Sequence, residues 1–371
     1  MSDCASLRVL FLTRYPVLGA SSRYRVYQYI PHLEAMGIFC EIQPFMDEDL
    51  YQLSFSPGRT FAKIRKTLLA TVRRLLALRY YSRFDVIYMQ RELLPFGAPW
   101  LERWLKRRGA RLVFDYDDAL FIGKPSRFNP IASLLRAPGK VRELFSLVDL
   151  VVAGNNWLRD QARAHGGNGV TLEVAEDVSR FPDCLQSRRQ PLVIGWLGST
   201  STVKYLREIE PALCDLAQRY PQLKFELMGG GDFQMEGVPW TLLPWSLQGE
   251  VEALSRWRIG LMPLPEEDWV KGKSGGKART YMAAGVVPVC TAIGYNLELI
   301  EHGRTGFLCR TNDEWRTVLE CLIADTELCI EIGQAARAEV EKRFSPAVIA
   351  AKMAALLFEV ADGRFGLEAK R

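Results

Sequence analysis

The sequence predicts an α/β protein built from two parallel-sheet domains. Its 371 residues leave room for two domains of roughly 100–200 residues each. Short β-branched runs alternate with helical periods from end to end, and the alternation restarts after a polar stretch at 188–191. Hydrophobic residues make up 48% and charged residues 25%, which excludes disordered, collagen-like and low-complexity classes. No run approaches the roughly 18–20 apolar residues of a bilayer-spanning helix, and no basic-then-apolar leader opens the chain. A cytoplasmic protein is expected, with its eight cysteines as reduced thiols because none form a C-x-x-C pair.

In the first half, strands are expected at Leu7 to Thr13, Val86 to Met89, Arg111 to Asp115 and Leu147 to Ala153, with helices at 23–36, 61–78 and 98–108. Leu192 to Leu197 opens the second half. Strands follow at 224–228, 241–243, 258–262, 286–290 and 306–308, alternating with helices at 203–219, 249–256, 275–284, 296–301, 312–323 and 327–343. Two Rossmann-like domains result, residues 1–185 and 186–345, with the helix in 346–371 expected to cross back onto the first. Ligands of open parallel sheets bind beyond the carboxyl ends of the strands, so a site is expected in a cleft between the two domains.

Charge is unevenly spread. Residues 1–184 carry a net +7 and residues 185–371 a net −2. Between Asp49 and Asp85 eight basic residues occur without an acidic one, and Phe61, Ile64, Leu68, Val72 and Leu75 recur among them at helical spacing. This basic amphipathic helix, residues 59–83, has two readings. Its apolar stripe packs on its own domain, or it docks on an anionic membrane surface. Nucleic acid is not expected as a partner, because no binding motif accompanies the charge.

Several short motifs fail on context. Gly272-Lys273-Ser274-Gly275-Gly276 fits a nucleophile elbow, but no strand precedes it and His302 is the sole later histidine. The same run lacks the upstream glycine of a P-loop, where Glu267 stands. Gly229-Gly230-Gly231 lacks the third glycine of a dinucleotide fingerprint, Gln234 standing there. Three histidines without ligand spacing predict no protein-built metal site.

The stronger pattern lies between 262 and 308. A glycine-rich basic loop, Lys271 to Lys277, precedes one helix, and a strand followed by Gly294-Tyr295-Asn296 precedes the next. Helix N-termini present unpaired N–H groups and about half a positive charge, and lysines add full ones. The two starts should line one crevice, which suits a diphosphate.

From Ile194 to about Phe344 the sequence resembles the donor-binding half of the retaining GT-B glycosyltransferases that use nucleotide-sugars, the bacterial family 4 or "group 1" type. The resemblance rests on Gly198-Ser199-Thr200-Ser201-Thr202-Val203-Lys204-Tyr205-Leu206, on Gly272 through Gly285, and on Gly303 to Leu308. Ser21 to Arg25, Gln90-Arg91-Glu92 and Phe114 to Ala119 resemble the same branch in the first half. This resemblance implies transfer of a sugar from a nucleotide-diphosphate sugar to a glycan, lipid-linked or small-molecule acceptor, with retention and without a metal or other cofactor. It places the enzyme in polysaccharide assembly, in the cytoplasm or peripherally on the inner membrane face. A same-fold epimerase and an inactive nucleotide-sugar-binding protein are the rivals.

By the same resemblance Gly198, Ser199, Lys204, Lys273, Lys277, Gly294, Tyr295 and Asn296 hold the donor phosphates, Glu298 lies near the sugar, and Trp245 contacts the base. Two departures stand out. The family's pair of glutamates with seven residues between them falls on Gly272 and Thr280, and an arginine common after the first glycine is Ser199. Asp117 and Asp118, just past a strand, are expected to stabilise positive charge on the sugar or accept the acceptor's proton. Arg23, Arg25 and Glu92 are expected on the acceptor side, the arginines holding an anionic acceptor or a phosphate.

Overall fold

The computed structural model describes residues 6–56, 58–122, 138–183 and 192–364. The chain forms two compact units, Met1–Ala175 with Pro346–Arg371, and Glu176–Ser345. The division falls after Ala175, ahead of the boundary expected near 185; the polar stretch at 188–191 that suggested it lies outside the described residues.

The first unit is built on six parallel strands, β1 (Arg8–Thr13), β2 (Phe39–Pro44), β3 (Val86–Gln90), β4 (Leu112–Tyr116), β5 (Leu150–Ala153) and β6 (Gly169–Thr171). Their order is β2-β1-β3-β4-β5-β6. The central strands are legible because both faces are buried, which turns them into continuous apolar runs. The edge strands escape sequence reading: β2 alternates exposed and half-buried positions, and β6 is only three residues long. Alternate residues of β1 serve opposite faces. Leu10 and Leu12 pack with Leu101, Leu105 and Phe145, whereas Val9 and Phe11 pack with Tyr29, Leu33, Ile349, Met353 and Leu357. The last three come from the helix Pro346–Ala361, whose apolar character is thus spent on this core.

Two expected helices are interrupted. The 23–36 segment breaks at Val26 (φ −135°) into Ala20–Arg25, a 3₁₀ turn at Tyr27–Tyr29 and Ile30–Ala35, the last started by Pro31. The 203–219 segment becomes a 3₁₀ stretch, Val203–Ile209, and then Glu210–Arg219 with Pro211 in its first turn. Proline lacks the N–H that a continuing helix needs but suits a helix start.

The second unit repeats the plan with β7 (Val193–Leu197), β8 (Lys224–Met228), β9 (Trp240–Leu243), β10 (Ile259–Met262), β11 (Val287–Thr291) and β12 (Phe307–Cys309). All pair in parallel, in the order β12-β11-β10-β7-β8-β9. Helices Thr326–Phe344 and Pro346–Ala361 together hold a window of mean hydropathy 1.6, apolar enough to cross a membrane. Ser345 separates them with an extended backbone (ψ 150°), and each belongs to a different unit.

Candidate functional site

In the second unit the strand order reverses at β7, flanked by β8 and β10, so the crevice beyond their carboxyl ends is the ligand position of such a sheet. Helix Gly276–Ala283 is pinned there by Tyr281, whose hydroxyl accepts from the Leu197 amide (2.9 Å) and donates to the Leu261 carbonyl (3.1 Å). Lys277 lies one turn earlier on the same helix face. Its Nζ therefore reaches the end of β7, 4.7 Å from the centre of the Trp196 ring, and donates to Thr202 Oγ1 at 3.3 Å. Gly198 makes that crossing possible, since a Cβ there would meet Trp196 at 2.3 Å and Lys277 Cε at 2.8 Å.

Among the described residues no carboxylate pairs with Lys277. Burial, and secondarily the Lys273 charge, pull its pKa down to about 7. Lys273 stands 4.6 Å from the Trp269 ring centre, and Lys271 is paired with Asp268 at 2.8 Å. Backbone donors complete the cradle. The amides of Gly276 and Lys277 precede the helix's first bond, from Arg279 N to Gly275 O (3.0 Å). The turn after β11 closes on the basic loop: Gly294 adopts φ 56°, and a Cβ there would sit 3.0 Å from Lys271 Cα. Arg279, buried between the Tyr295 and Phe344 rings, donates to the Ser274 carbonyl at 2.9 Å and holds the loop in place.

A second network runs from this helix to the end of β9. Thr280 Oγ1 donates to Glu176 Oε2 (2.7 Å), and Arg180 bridges Glu176 (2.7 Å) and Glu250 (2.8 Å). The other Glu250 oxygen accepts from the Trp245 indole at 2.8 Å. Trp245 is thereby fixed by its edge while its ring stays half exposed, at 47%. Burial raises the Glu176 carboxyl above its ordinary pKa, opposed by Arg180 and Thr280.

In the first unit the reversal lies between β1 and β3. Ser22 Oγ donates to Gln90 Oε1 (2.8 Å), which also accepts from the Arg14 amide (3.0 Å), and Ser21 Oγ donates to Asp117 Oδ2 (2.9 Å). Arg91, held at φ 68°, stands 3.6 Å from Asp117 and 3.5 Å from Asp118. Asp118 is the more exposed of the two carboxylates, 41% against 15%. Beyond β1 and β2, Arg14 and the buried Arg74 approach one ring, Phe45, at 5.5 and 5.8 Å.

Residues 191–325 match the sequence pattern of a family described as "Glycosyl transferases group 1". That segment is a group 1 glycosyltransferase domain. The whole chain resembles HepE of Anabaena, solved with UDP and glucose, at 18% identity and a TM-score of 0.61, covering 95% of this chain and 99% of that one. Sucrose-phosphate synthase of Thermosynechococcus elongatus matches at 14% and 0.66, covering 96% and 100%. A glycosyltransferase from Rickettsia africae ESF-5 matches at 13% and 0.68, covering 96% and 99%. These likenesses establish the GT-B fold. No curated protein matches the chain in sequence.

Within the glycosyltransferase domain Gly198, Lys277 and, through Thr202, Ser199 meet at the end of β7, while Gly294 packs on the basic loop that carries Lys273. Lys204 is exposed beside the Tyr205 ring, 5.4 Å from its centre. Asn296 is buried and donates to the Thr291 carbonyl (3.0 Å), so its side chain shapes its own turn; Tyr295 is buried under Arg279, and Glu298 is exposed. Thr280, at a position where the family carries a glutamate, meets the carboxylate of Glu176 instead. Glu176 carries no local sign of its role in the sequence, because it lies 104 positions from its partner.

In the first unit Arg25 does not take the expected anion-holding place. It is buried in an ion pair with Asp115, and its Nη1 donates to the Leu172 carbonyl at 2.6 Å. Arg23 donates to the carbonyls of Val17 and Leu18 in its own loop (3.4 Å each), and Glu92 is half-buried next to Arg91. The structure bears on one of the two readings of the basic helix, Thr60–Ala77. Phe61, Leu68 and Val72 are 81%, 60% and 52% exposed, so the stripe does not pack on its own domain. Ala70 and Arg74 face inward instead.

Proposed function

We propose that the second unit binds a nucleoside-diphosphate sugar and the first unit an acceptor, and that the chain transfers the sugar between them. The observation that carries this is Lys277, a half-buried ammonium with no carboxylate partner among the described residues, set among helix-start amides at a sheet reversal. HepE was solved with UDP-glucose, which makes UDP-sugars the first donors to try. In the transfer the bond from the anomeric carbon to the leaving phosphate oxygen breaks and a bond to the acceptor oxygen forms. Lys277 and the amides stabilise charge on the departing diphosphate. Trp245 stacks on the base, its edge held by Glu250. Asp118, the more exposed carboxylate, receives the acceptor proton while Arg91 and Asp117 position it. Retention follows from the family resemblance, and the cationic cradle makes a divalent metal unnecessary.

The test is release of free nucleoside diphosphate from a panel of UDP-, GDP- and ADP-sugars, with and without EDTA, and NMR of the product anomer. Release that survives EDTA and is lost in Asp118→Asn, with donor affinity kept, supports the transferase. Tight binding without release under any acceptor supports a nucleotide-sugar-binding protein.

The exposed apolar stripe of Thr60–Ala77, with Arg65, Arg73, Arg79 and Arg83 exposed around it, docks on an anionic lipid surface. Flotation with vesicles rich in phosphatidylglycerol is expected to fall with salt and to be lost in Phe61→Ser/Leu68→Ser. Equal flotation of wild type and variant would remove the helix from membrane binding.

A further inference from the structure

Arg74 is 1% exposed and comes from the inward face of the helix Thr60–Ala77. Its Nη2 donates to the carbonyl of Thr13, the last residue of β1 (2.8 Å), while its Nε has no hydrogen-bond partner. No carboxylate forms an ion pair with it among the described residues. Its neighbours make its charge less comfortable. Burial and then the adjacent Arg14 push its pKa down, and the opposing influence of Glu102 is shared with Lys140, 3.6 Å from that carboxylate. Two guanidiniums therefore share the Phe45 ring at the carboxyl ends of β1 and β2, beside the reversal of the sheet. A buried cation without a counter-ion is costly to desolvate, and an arriving anion offsets that cost.

We infer that Arg14 and Arg74 form a binding site for the phosphate group of a phosphorylated acceptor. The inference rests on the first unit being the acceptor side. Guanidiniums bind phosphate oxygens through paired N–H donors, and Arg74 keeps an N–H in reserve. The Tyr27 hydroxyl, within 3.4 Å of Thr13 Oγ1, lines the same strand end. From there the carboxylates after β4 are two strand spacings away, roughly 10 Å. That separation matches a phosphate and a reacting hydroxyl on opposite sides of one sugar or short headgroup. Arg91 is not part of the site, since Asp117 and Asp118 already occupy it.

Calorimetric titration of the full chain with two probes tests this: glucose 6-phosphate, and dihexanoylphosphatidic acid below its micelle concentration. At least one is expected to bind, and Arg74→Gln and Arg14→Gln are each expected to weaken it on the order of tenfold or more. The half-exposed Arg14 provides the readout if Arg74→Gln fails to fold. Preference for the first probe names a soluble sugar phosphate as the source, and preference for the second a lipid headgroup. Lys277→Ala should leave both titrations unchanged while weakening nucleoside diphosphate. Failure of both probes to bind, or binding indifferent to both arginine variants, overturns the inference. Loss of nucleotide binding alone would count instead against the donor assignment.

Discussion

The carboxyl ends of β3 and β4 in the first unit and of β7 in the second treat charge differently. After β3 and β4 the first unit pairs its arginines with aspartates, Arg25 with Asp115 and Arg91 with Asp117 and Asp118. The second unit leaves Lys277 without a carboxylate and surrounds it with backbone N–H groups. Paired charges fix geometry and hold carboxylates in place; a half-buried cation without a carboxylate is set up for an anion that comes and goes. The same fold thus presents positioned carboxylates beyond β3 and β4 of one unit and a cradle of anion donors beyond β7 of the other.

The sharpest way to break this contrast is to remove a paired charge. Arg25→Ala leaves Asp115 buried without its partner and is expected to cost about 3–5 kcal/mol of stability in denaturant unfolding. A loss below about 1 kcal/mol would mean the pair does not hold the strand ends together. Lys277→Ala should behave differently, because the lysine has no carboxylate to abandon. Stability is expected to hold or rise, while binding of nucleoside diphosphate falls by about 1.5–3 kcal/mol in calorimetry. A smaller effect is expected from pH. Lys277 is depressed to about 7 in the free protein, and a bound diphosphate raises it. The bound state therefore holds more protons above pH 7, and affinity should decline as pH rises through that window, by at most about tenfold per unit. A flat profile from pH 7 to 9 would place the titrating group elsewhere.

Much of this was legible in the chain. The strand Lys224–Met228 and the helix starting at Gly276 show themselves through local runs, and the lysines and glycines between 271 and 277 stand next to one another in sequence. What stayed hidden depends on distant pairing. Glu176 meets Thr280, and Arg74 meets Thr13, only once the sheets form. Helical periodicity likewise revealed two faces of Thr60–Ala77 without saying which was inside. Of its two readings, the one in which the apolar stripe packs on its own domain fails because Ala70 and Arg74 take the inward positions. Arg25 looked available because a sequence displays a charge but not the Asp115 beside it.

The most direct measurement of the central claim is the proton balance of donor binding. At pH 8 a nucleoside diphosphate is fully ionised and Lys277 is mostly neutral in the free protein, so binding should draw protons from solution. Calorimetry in two buffers of different ionisation enthalpy is expected to show uptake of most of one proton by the wild type and none by Lys277→Ala. Binding with no proton uptake in the wild type, or the same uptake in both proteins, would contradict the account.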